Sequence, residues 1–271
     1  MKLYDHIYLS PHFDDASLSC GGAIHQQVRA GQAVLVVTIC AAPPAPGVAL
    51  SPFAQKIHGA MGHVEDVVAM RRREDRASID RLGAELAWLD FQDAVYRGRE
   101  GRWFYASIDE VFGPIHPDER DRPEAIAAAI GEQTSPGPET TLYAPLTVGG
   151  HVDHRHAHRA AWMLREQGRR VVFYEDYPYA DPAYRLPFDE ENTATLDVIL
   201  ASLHPYNLTP HIVRLTEDDL QARIDSVGAY GSQVPMLFGD ETAMAERLRT
   251  YAMQVDGQGL AERYWVPADV G

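Results

Sequence analysis

The stretch AVLVVTIC (33–40) is apolar or β-branched throughout, and it constrains the fold of this chain more than any other segment. A strand without polar alternation is buried on both faces, which is typical of the centre of a parallel sheet. The shorter run HIYLS (6–10) ends at Pro11, as a second buried strand would. Between them, residues 17–31 form a predicted helix with Ser17 as its N-cap and Gly31 as its stop. Strand, helix and strand in this order predict a right-handed βαβ unit.

The same alternation continues along the chain. Further strands are predicted at 85–91, 141–146, 170–180 and 209–215, and helices at 64–84, 152–168, 217–234 and 241–255. Alternating strands and helices predict a Rossmann-like, doubly wound α/β fold, with a mostly parallel sheet flanked by helices. The pattern changes after about residue 190. We therefore expect one domain, 1–271, in which a core (1–189) carries the functional site and residues 190–271 form a small C-terminal α+β extension.

Composition excludes several classes of partner. Among 271 residues, 24 Lys and Arg stand against 39 Asp and Glu, so the formal net charge is −15, which disfavours binding to nucleic acid or to an anionic membrane. Two cysteines in so long a chain make no disulfide framework, which favours a reducing, cytoplasmic compartment. The N-terminal residues are too polar for a signal peptide, and no run of eighteen apolar residues predicts a membrane span.

The stretch PHFDDA (11–16) follows the first predicted strand, at the edge of a parallel sheet where ligands bind. One interpretation is helix capping by Asp14 or Asp15. A second is phosphoryl transfer, but the aspartates of the enzymes in question are separated by one residue and these are adjacent. A third is a metal site, because the imidazole of His12 and the carboxylate of Asp15 suit zinc, with Asp14 left free for proton transfer.

A second histidine-rich stretch, GGHVDHRHAH (149–158), follows the fourth predicted strand and so reaches the same edge of the sheet. Its histidines at 151, 154 and 158 share one face if the helix begins early enough. For His156 and His158, an ordinary core or surface position is the favoured interpretation. His151 and His154 follow a glycine pair at a strand end, and this position favours a role in the site.

Together the two stretches resemble the signatures of the LmbE/PIG-L family of zinc-dependent N-deacetylases, (A/P)HPDDE and HxDH. The resemblance also takes in Arg71, Glu74 and Asp93 in the expected order, and it covers roughly residues 5–180. Two positions depart from the family pattern: Phe13 replaces its proline, and Ala16 replaces its acidic residue.

The resemblance implies a zinc ion held by three ligands, His12, Asp15 and His154. It implies that Asp14 is the general base, which takes a proton from water and returns it to the leaving amine. It also implies that His151 faces the oxyanion that develops on the acyl group.

The resemblance implies further roles around this centre. Asp153 would orient a ligand histidine, and Arg71 and Asp93 would contact the sugar. A weaker prediction, made from the tyrosine-rich stretch YEDYPYAD (174–181), places Tyr177 against the substrate, with ordinary packing as the alternative. The proline-rich residues 41–63 are predicted to be either a lid over the site or an ordinary surface loop.

The implied function is removal of acetyl from the amide of an N-acetylated amino sugar, a GlcNAc-type ligand or conjugate, to give acetate and a free amine. One alternative substrate is another amide, such as a thiol-sugar conjugate or an acylated natural product. A different class of protein, a non-catalytic relative that binds metal or carbohydrate, is the remaining alternative. The expected partner is therefore a small molecule, and the resemblance is also compatible with a homo-oligomer.

Overall fold

The structure is a computed structural model that describes residues 2–62, 66–99, 101–134, 137, 139–184 and 194–268. Its strands in this part of the chain are β1 (His6–Ser10), β2 (Val34–Thr38), β3 (Glu85–Trp88), β4 (Gly98–Arg99), β5 (Arg102–Trp103), β6 (Thr141–Pro145), β7 (Arg170–Tyr174), β8 (Leu208–Arg214) and β9 (Ala261–Pro267). Its α-helices are α1 (Asp15–Arg29), α2 (Pro52–Ala60), α3 (Val67–Leu82), α4 (Ile108–Val111), α5 (Arg122–Thr134), α6 (Val152–Glu166), α7 (Leu196–Ser202), α8 (Glu217–Val227), α9 (Val234–Phe238) and α10 (Glu241–Gln254).

A seven-stranded sheet organises the molecule, in the order β3-β2-β1-β6-β7-β9-β8. The first five of these strands are parallel, and β9 and β8 extend the sheet with antiparallel pairing. The chain runs outward from β1 to β3 and then returns to place β6 on the other side of β1. The strand order therefore reverses between β1 and β6, which is where open α/β sheets bind their ligands.

Alternate residues of the central strands supply the two faces of the sheet. Ile7 and Leu9 of β1 pack with apolar side chains of α5 and α6, whereas Tyr8 packs with those of α1 and α3. Every residue of β2 is buried, as the continuous apolar run predicts. Helices on both faces, together with a mostly parallel sheet, confirm the predicted doubly wound α/β class.

Helix α1 begins earlier than the sequence indicates. Asp15 is its first residue, and the prediction of Ser17 as N-cap is wrong: the Ser17 hydroxyl lies inside the molecule, 2.8 Å from the Ser78 hydroxyl. The Ser10 hydroxyl instead accepts the backbone N–H of Ala16, at 3.0 Å. An early start carries Asp15 on the first turn of the helix, beside the end of β1.

Two glycines in the middle of α1 make room for a buried ion pair. Arg223 of α8 donates to the Leu18 carbonyl at 3.1 Å, and the Glu262 carboxylate of β9 accepts the N–H groups of Gly22 and Ala23. Arg223 and Glu262 lie 3.4 Å apart, with both side chains buried. A Cβ atom on Gly22 would come within 2.6 Å of Leu215 and 2.9 Å of Glu262, so only glycine fits this position without movement.

The C-terminal part of the chain is packed against the core. Strand β8 and helices α8 and α10 fall in the predicted stretches, but β9, inserted between β7 and β8, was not predicted. The Tyr230 hydroxyl donates to the Phe13 carbonyl at 2.6 Å, directly beneath the first motif. The boundary expected at residues 189 and 190 lies outside the described residues. Within the described part of the chain, no helix is long and apolar enough to cross a membrane.

Candidate active site

The two predicted motifs meet at the carboxyl edge of the sheet. Residues 11–14 follow β1, and residues 146–151 follow its neighbour β6 and lead into α6. Three imidazole rings face one another there: the ring centroid of His12 lies 4.6 Å from that of His151 and 5.4 Å from that of His154. The first and second motifs therefore form one cluster, as their positions after adjacent strands predict.

Two pairs of donor atoms in this cluster have the spacing that a single tetrahedral ion needs. The Oδ2 atom of Asp15 lies 3.4 Å from Nδ1 of His12 and 3.3 Å from Nε2 of His154. Nitrogen and oxygen donors that bind one tetrahedral zinc ion at about 2.0–2.1 Å are separated by roughly 3.3–3.4 Å. The ring nitrogens of His12, His151 and His154 also come within 4.8 Å of one another, so the cluster offers a metal site.

A carboxylate holds the second nitrogen of each of two imidazoles. Nδ1 of His154 lies 2.6 Å from Oδ1 of Asp176, and Nε2 of His12 lies 3.2 Å from Oδ2 of Asp153. Such partners fix the orientation of metal-binding histidines and leave the other nitrogen directed at the ion. Asp176 follows the end of β7, and its Oδ2 also accepts the Val148 N–H at 2.9 Å.

The electrostatics of the cluster favour a cation. Burial lowers the pKa of His154, but the carboxylates of Asp15 and Asp176 outweigh burial and raise it to about 9. The pKa of His12 is likewise held well above its ordinary value, against the effect of burial, by the surrounding carboxylates. For Asp15, burial raises the pKa, but the two imidazoles overcome this and leave it well below the ordinary value. Positive charge is stabilised at this position, and binding of a metal ion would replace the protons.

Asp14 is buried beside this cluster and does not cap the helix. Although it occupies the N-cap position of α1, its side chain accepts no backbone N–H there, so the capping interpretation is wrong for this residue. Its Oδ1 instead pairs with the guanidinium of Arg71 at 3.1 Å. Burial raises the pKa of Asp14 most, Arg71 opposes it, and the nearby Asp15 carboxylate raises it further. A buried carboxylate with a raised pKa suits proton transfer.

His151 occupies the N-cap of α6 and has a defined donor. Its Nδ1 accepts the backbone N–H of Asp153 at 3.1 Å, so the proton of the neutral ring resides on Nε2. Burial lowers the pKa of His151 well below its ordinary value, and the neighbouring His12 lowers it further. The neutral ring therefore presents an Nε2–H donor. Gly149 and Gly150, with φ of 87° and 81°, form the turn that aims this residue back at the cluster.

The side chains expected to contact a sugar, those of Arg71 and Asp93, lie on one side of the cluster, which we call its mouth. Asp93 places Oδ2 3.8 Å from Nε2 of His12, and Arg71 stacks over the Phe13 ring at 5.0 Å. Beside them, Nε2 of His58 lies 2.7 Å from the Tyr96 hydroxyl, which links α2 to the turn after Asp93. The region 41–63 thus contributes an ordered helix near the site, whereas its last residue lies outside the described part of the chain.

Tyr177 lies elsewhere, and the structure differs here from the sequence-based prediction. Its side chain is 2% exposed, and it packs on the Tyr251 ring with the Arg223 guanidinium 5.4 Å from its own ring. Strand β7 ends at Tyr174, so the chain turns before Tyr177 and carries this side chain into the core. Tyr179 approaches the cluster instead, with its ring centroid 6.1 Å from that of His154 and 5.7 Å from that of Phe112.

The two departures from the family pattern are both buried packing positions. Phe13 lies among Ala41, Val68 and Tyr230, and Ala16 packs against the sheet face that carries Tyr8. Neither side chain offers a ligand, and the spacing of the three donor atoms described above is found in their presence. The approach of the Asp15 carboxylate to the His12 and His154 imidazoles therefore does not depend on the family's proline or its additional acidic residue.

Comparison with known proteins places the chain in a family. The PIG-L family, described as GlcNAc-PI de-N-acetylases, matches residues 7–164, which include both motifs and all the parallel strands of the sheet except β7. The chain belongs to this family and is an N-deacetylase, and its histidine cluster could hold a metal ion.

Characterised relatives fall in the same chemical class. The chain is 30% identical to the 2'-N-acetylparomamine deacetylase of Streptomyces fradiae, over 98% of this chain and 90% of that protein. It is also 30% identical to a Niallia circulans protein of the same name, over 64% of this chain and 66% of the relative. Among solved structures, the zinc-inhibited form of teicoplanin deacetylase Orf2 is 27% identical, with a TM-score of 0.79 over 100% of both chains.

Proposed function

We propose that this chain is a zinc-dependent hydrolase that removes the acetyl group from the amide of an N-acetylated amino sugar, a GlcNAc-type ligand or conjugate. The products are acetate and a free amine. The observation that carries this proposal is the approach of one Asp15 carboxylate oxygen to a ring nitrogen of His12 and to one of His154, at the switch point of the sheet. A carboxylate behind each of the two imidazoles supports the same ligand set.

Zinc suits this donor set because two imidazole nitrogens and one carboxylate oxygen leave a position open for water or substrate, as catalytic zinc sites do. When bound, zinc supplies a Lewis acid for the acyl oxygen and makes water more acidic. The ligand set is complete without Asp14 and without Asp153, which leaves both carboxylates available for other roles.

Asp14 is proposed as the general base and acid. It lies one residue from the ligand Asp15, and its raised pKa brings its proton affinity closer to that of water activated near neutral pH. After taking a proton, the carboxyl group is positioned to return it to the amine nitrogen. The Arg71 guanidinium at 3.1 Å fixes the orientation of this carboxylate.

His151 is proposed to stabilise the oxyanion as a neutral hydrogen-bond donor. The Asp153 N–H occupies its Nδ1, so Nε2–H remains for the acyl oxygen as negative charge develops there. This role needs no protonated ring, which agrees with the lowered pKa of His151.

The mouth of the site supports a sugar substrate. Arg71 and Asp93 provide hydrogen-bonding groups for hydroxyls, and the rings of Phe112 and Tyr179 provide aromatic surface beside the metal donors. Relatives named for deacetylation of 2'-N-acetylparomamine and of teicoplanin support an N-acetylated amino-sugar conjugate over a simple sugar. The two free thiols, Cys20 and Cys40, are consistent with the proposed cytoplasmic location.

The test combines metal content with acetate release. Purified protein should hold near one zinc ion per chain, and His154→Ala should lose most of it. His158→Ala is the matched control, because His158 is buried on the same helix but bonds to Pro145 and Trp162. Acetate release is then measured on N-acetylparomamine, N-acetylglucosaminyl conjugates and other acylated amides. Equal zinc in wild type and His154→Ala, or zinc-loaded protein that releases no acetate from any amide, would contradict the proposal.

A further inference from the structure

A buried arginine connects the metal site to the segment beside it. Arg97 is 4% exposed and forms ion pairs with two carboxylates, those of Asp153 and Glu119. One guanidinium nitrogen, Nη1, also donates to the Gln92 carbonyl at 3.0 Å, and Nη2 donates to the Glu119 carboxylate at 3.1 Å. The arginine therefore lies between two carboxylates, and one of them, that of Asp153, contacts His12 of the histidine cluster.

Asp153 divides its two oxygens between this arginine and the cluster. Oδ1 pairs with Arg97, whereas Oδ2 lies 3.2 Å from Nε2 of His12 and accepts the Ala94 N–H at 2.9 Å. The plane of the carboxylate is fixed by donors on both sides. On the opposite side of the imidazole, Nδ1 of His12 faces the Asp15 oxygen at 3.4 Å.

Glu119 is held as firmly as Arg97. Its carboxylate accepts the Tyr105 hydroxyl at 2.6 Å and lies 3.2 Å from Nε2 of His156. Burial raises its pKa, but His156 and Arg97 outweigh burial and lower it to about 2, so Glu119 carries a full negative charge. A full charge at this position neutralises the guanidinium and keeps Arg97 from rotating away toward solvent.

We propose that Arg97 and Glu119 are positioning residues for the metal centre: through Asp153 they hold the His12 ring so that its Nδ1 is presented to the ion. This inference rests on the proposed function. The network runs Glu119, Arg97, Asp153, His12, and each link is a direct contact; the first three side chains are buried, and that of His12 is 12% exposed. Because partners of metal-binding histidines tune affinity, a change at Arg97, which contacts the histidine's partner Asp153, should still be measurable.

The same network fixes the segment that forms the mouth. Arg97 follows directly after Tyr96, and Asp93 caps the short turn Ala94–Tyr96 by accepting the Val95 N–H at 3.2 Å. Glu119 belongs to a second turn, Pro117–Glu119. Loss of the ion pair would therefore release the His12 ring and the turn that carries Asp93 together.

The experiment compares Arg97→Met, Arg97→Lys and Glu119→Gln with the wild-type chain. Zinc dissociation constants are measured by competition with a chromophoric chelator, and the cobalt-substituted proteins are compared by visible absorption. Arg97→Met should weaken zinc binding about 10- to 100-fold and alter the cobalt spectrum. Arg97→Lys should lose less, because an ammonium group keeps the charge beside Asp153 but cannot reach both acids. Glu119→Gln should also show a smaller loss than Arg97→Met.

Arg223→Met is the matched control. The Arg223–Glu262 pair is as buried as the Arg97 pairs, with side chains 1% and 2% exposed. It contacts the middle of α1 and not the histidine cluster. Both methionine variants leave a buried carboxylate without its arginine, so the Tm of both metal-free proteins should fall. Only the Arg97 variant should change the zinc dissociation constant and the cobalt spectrum.

The outcomes separate this inference from the proposed function. If the wild-type chain binds no zinc and releases no acetate, the proposed function fails. If the wild type does both and Arg97→Met binds zinc with unchanged affinity, or Arg223→Met weakens zinc equally, the positioning role is overturned. If Arg97→Met does not fold, Arg97→Lys and Glu119→Gln decide, and wild-type zinc affinity in both would overturn the proposal.

Discussion

Three aspartates of the two motifs, Asp14, Asp15 and Asp153, have different partners, and these partners separate their proposed roles. Asp15 faces the nitrogens of two imidazoles, Asp14 faces the Arg71 guanidinium, and Asp153 faces Arg97. A carboxylate between two imidazoles is suited to binding metal, whereas one beside an arginine keeps a fixed orientation without being a ligand. Residue type alone does not distinguish these aspartates, since their side chains are identical.

Asp14→Asn is expected to keep zinc and to lose most of its turnover. Asparagine retains the shape and the contact with Arg71 but cannot take a proton from water, and general acid–base groups contribute roughly 100- to 10,000-fold. Zinc content and kcat for acetate release, measured on the same preparation, check the expectation. Asp15→Asn is the control and should lose zinc. Loss of zinc from the Asp14 variant would refute this division of roles.

His158 should make the fold sensitive to acid. Its Nδ1–H donates to the Pro145 carbonyl, its Nε2 accepts the Trp162 N–H, and burial lowers its pKa from 6.5 to about 4. The folded chain keeps this ring neutral while the unfolded chain protonates it. The stabilisation is therefore full above pH 6.5 and is lost as the pH falls toward 4, by up to about 3 kcal/mol.

Urea unfolding of the wild type and of His158→Gln, near pH 7 and at about pH 4.5, measures the contribution of the neutral His158 ring to stability. The wild type should lose more stability between the two conditions than the variant, because glutamine has no proton to bind. Equal losses in both proteins would show that His158 does not titrate as its surroundings indicate.

At this scale the sequence could predict the two motifs and their meeting, because each follows a strand and adjacent parallel strands end at one edge. It could not predict that Asp176 contacts His154 or that Arg97 contacts Asp153. Asp176 follows a strand whose end the sequence places six residues too late, at 180 instead of Tyr174, and Arg97 enters through a turn fixed by distant acids. The tyrosine-rich stretch predicts Tyr177 at the substrate, but the direction of a side chain after a strand depends on the turn that follows. Here that turn directs the Tyr177 ring inward, onto Tyr251.

Among the elements, α1 shows how contacts with several neighbours determine the residues of one helix. Its first turn supplies Asp15, and its middle accepts the ion pair between α8 and β9 at a pair of glycines. Glycine lowers helix stability by about 1 kcal/mol relative to alanine, so Gly21 and Gly22 are costly for α1 taken alone. They persist because the neighbouring backbone and side chains occupy the space that a methyl group would fill.

Gly22→Ala is therefore expected to destabilise the protein despite the gain in helix propensity. The new Cβ would lie 2.6 Å from Leu215 and 2.9 Å from Glu262, and overpacking of this kind costs about 1–3 kcal/mol. Gly131→Ala in α5 is the matched control, because nothing lies within 4 Å of its Cβ, and it should stabilise by about 0.5–1 kcal/mol. Both are measured by denaturant unfolding, and destabilisation of similar size in both would contradict the packing argument.

Elements that are apolar throughout were predictable, and those stabilised by distant charges were not. Strands β1, β2 and β6 fall where the apolar runs lie, and Gly83, with φ of 74°, ends α3 as expected. Strand β9 escaped prediction because AERYWVP places two charged residues side by side. Glu262 is neutralised by Arg223, and Arg263 by Glu175, so both charges are tolerated through contacts that a local pattern does not contain.

Across the whole molecule, the segment expected as an extension completes the core. Helix α8 packs on α1 and α3, and the Tyr230 hydroxyl bonds both the Phe13 carbonyl and Asp75 Oδ1, the latter at 3.0 Å. The backbone and hydroxyl of Ser232 both bond Glu74. These contacts oppose independent folding of the first part of the chain, and a single domain over 1–271 stays a prediction.

A chain that ends at residue 184 should consequently fail to fold, and the intact chain should unfold in one cooperative step. Calorimetry of the intact chain should give equal calorimetric and van't Hoff enthalpies, and the shortened chain should lack the near-ultraviolet circular dichroism of a packed core. Tyr230→Phe is the control for a single lost contact and should lower stability only by about 1 kcal/mol. Two separate transitions, or a folded shortened chain, would contradict a single domain.

The position of β9 between β7 and β8 leaves strand edges unpaired in the nascent chain. The residues of both motifs leave the ribosome more than 100 residues before residues 261–267, since the later motif ends at His154. Until β9 emerges, β7 has an open edge and β8 has no neighbour in the sheet. Open strand edges invite pairing with other chains. Protection by chaperones during synthesis therefore matters most in the interval between translation of β8 and translation of β9.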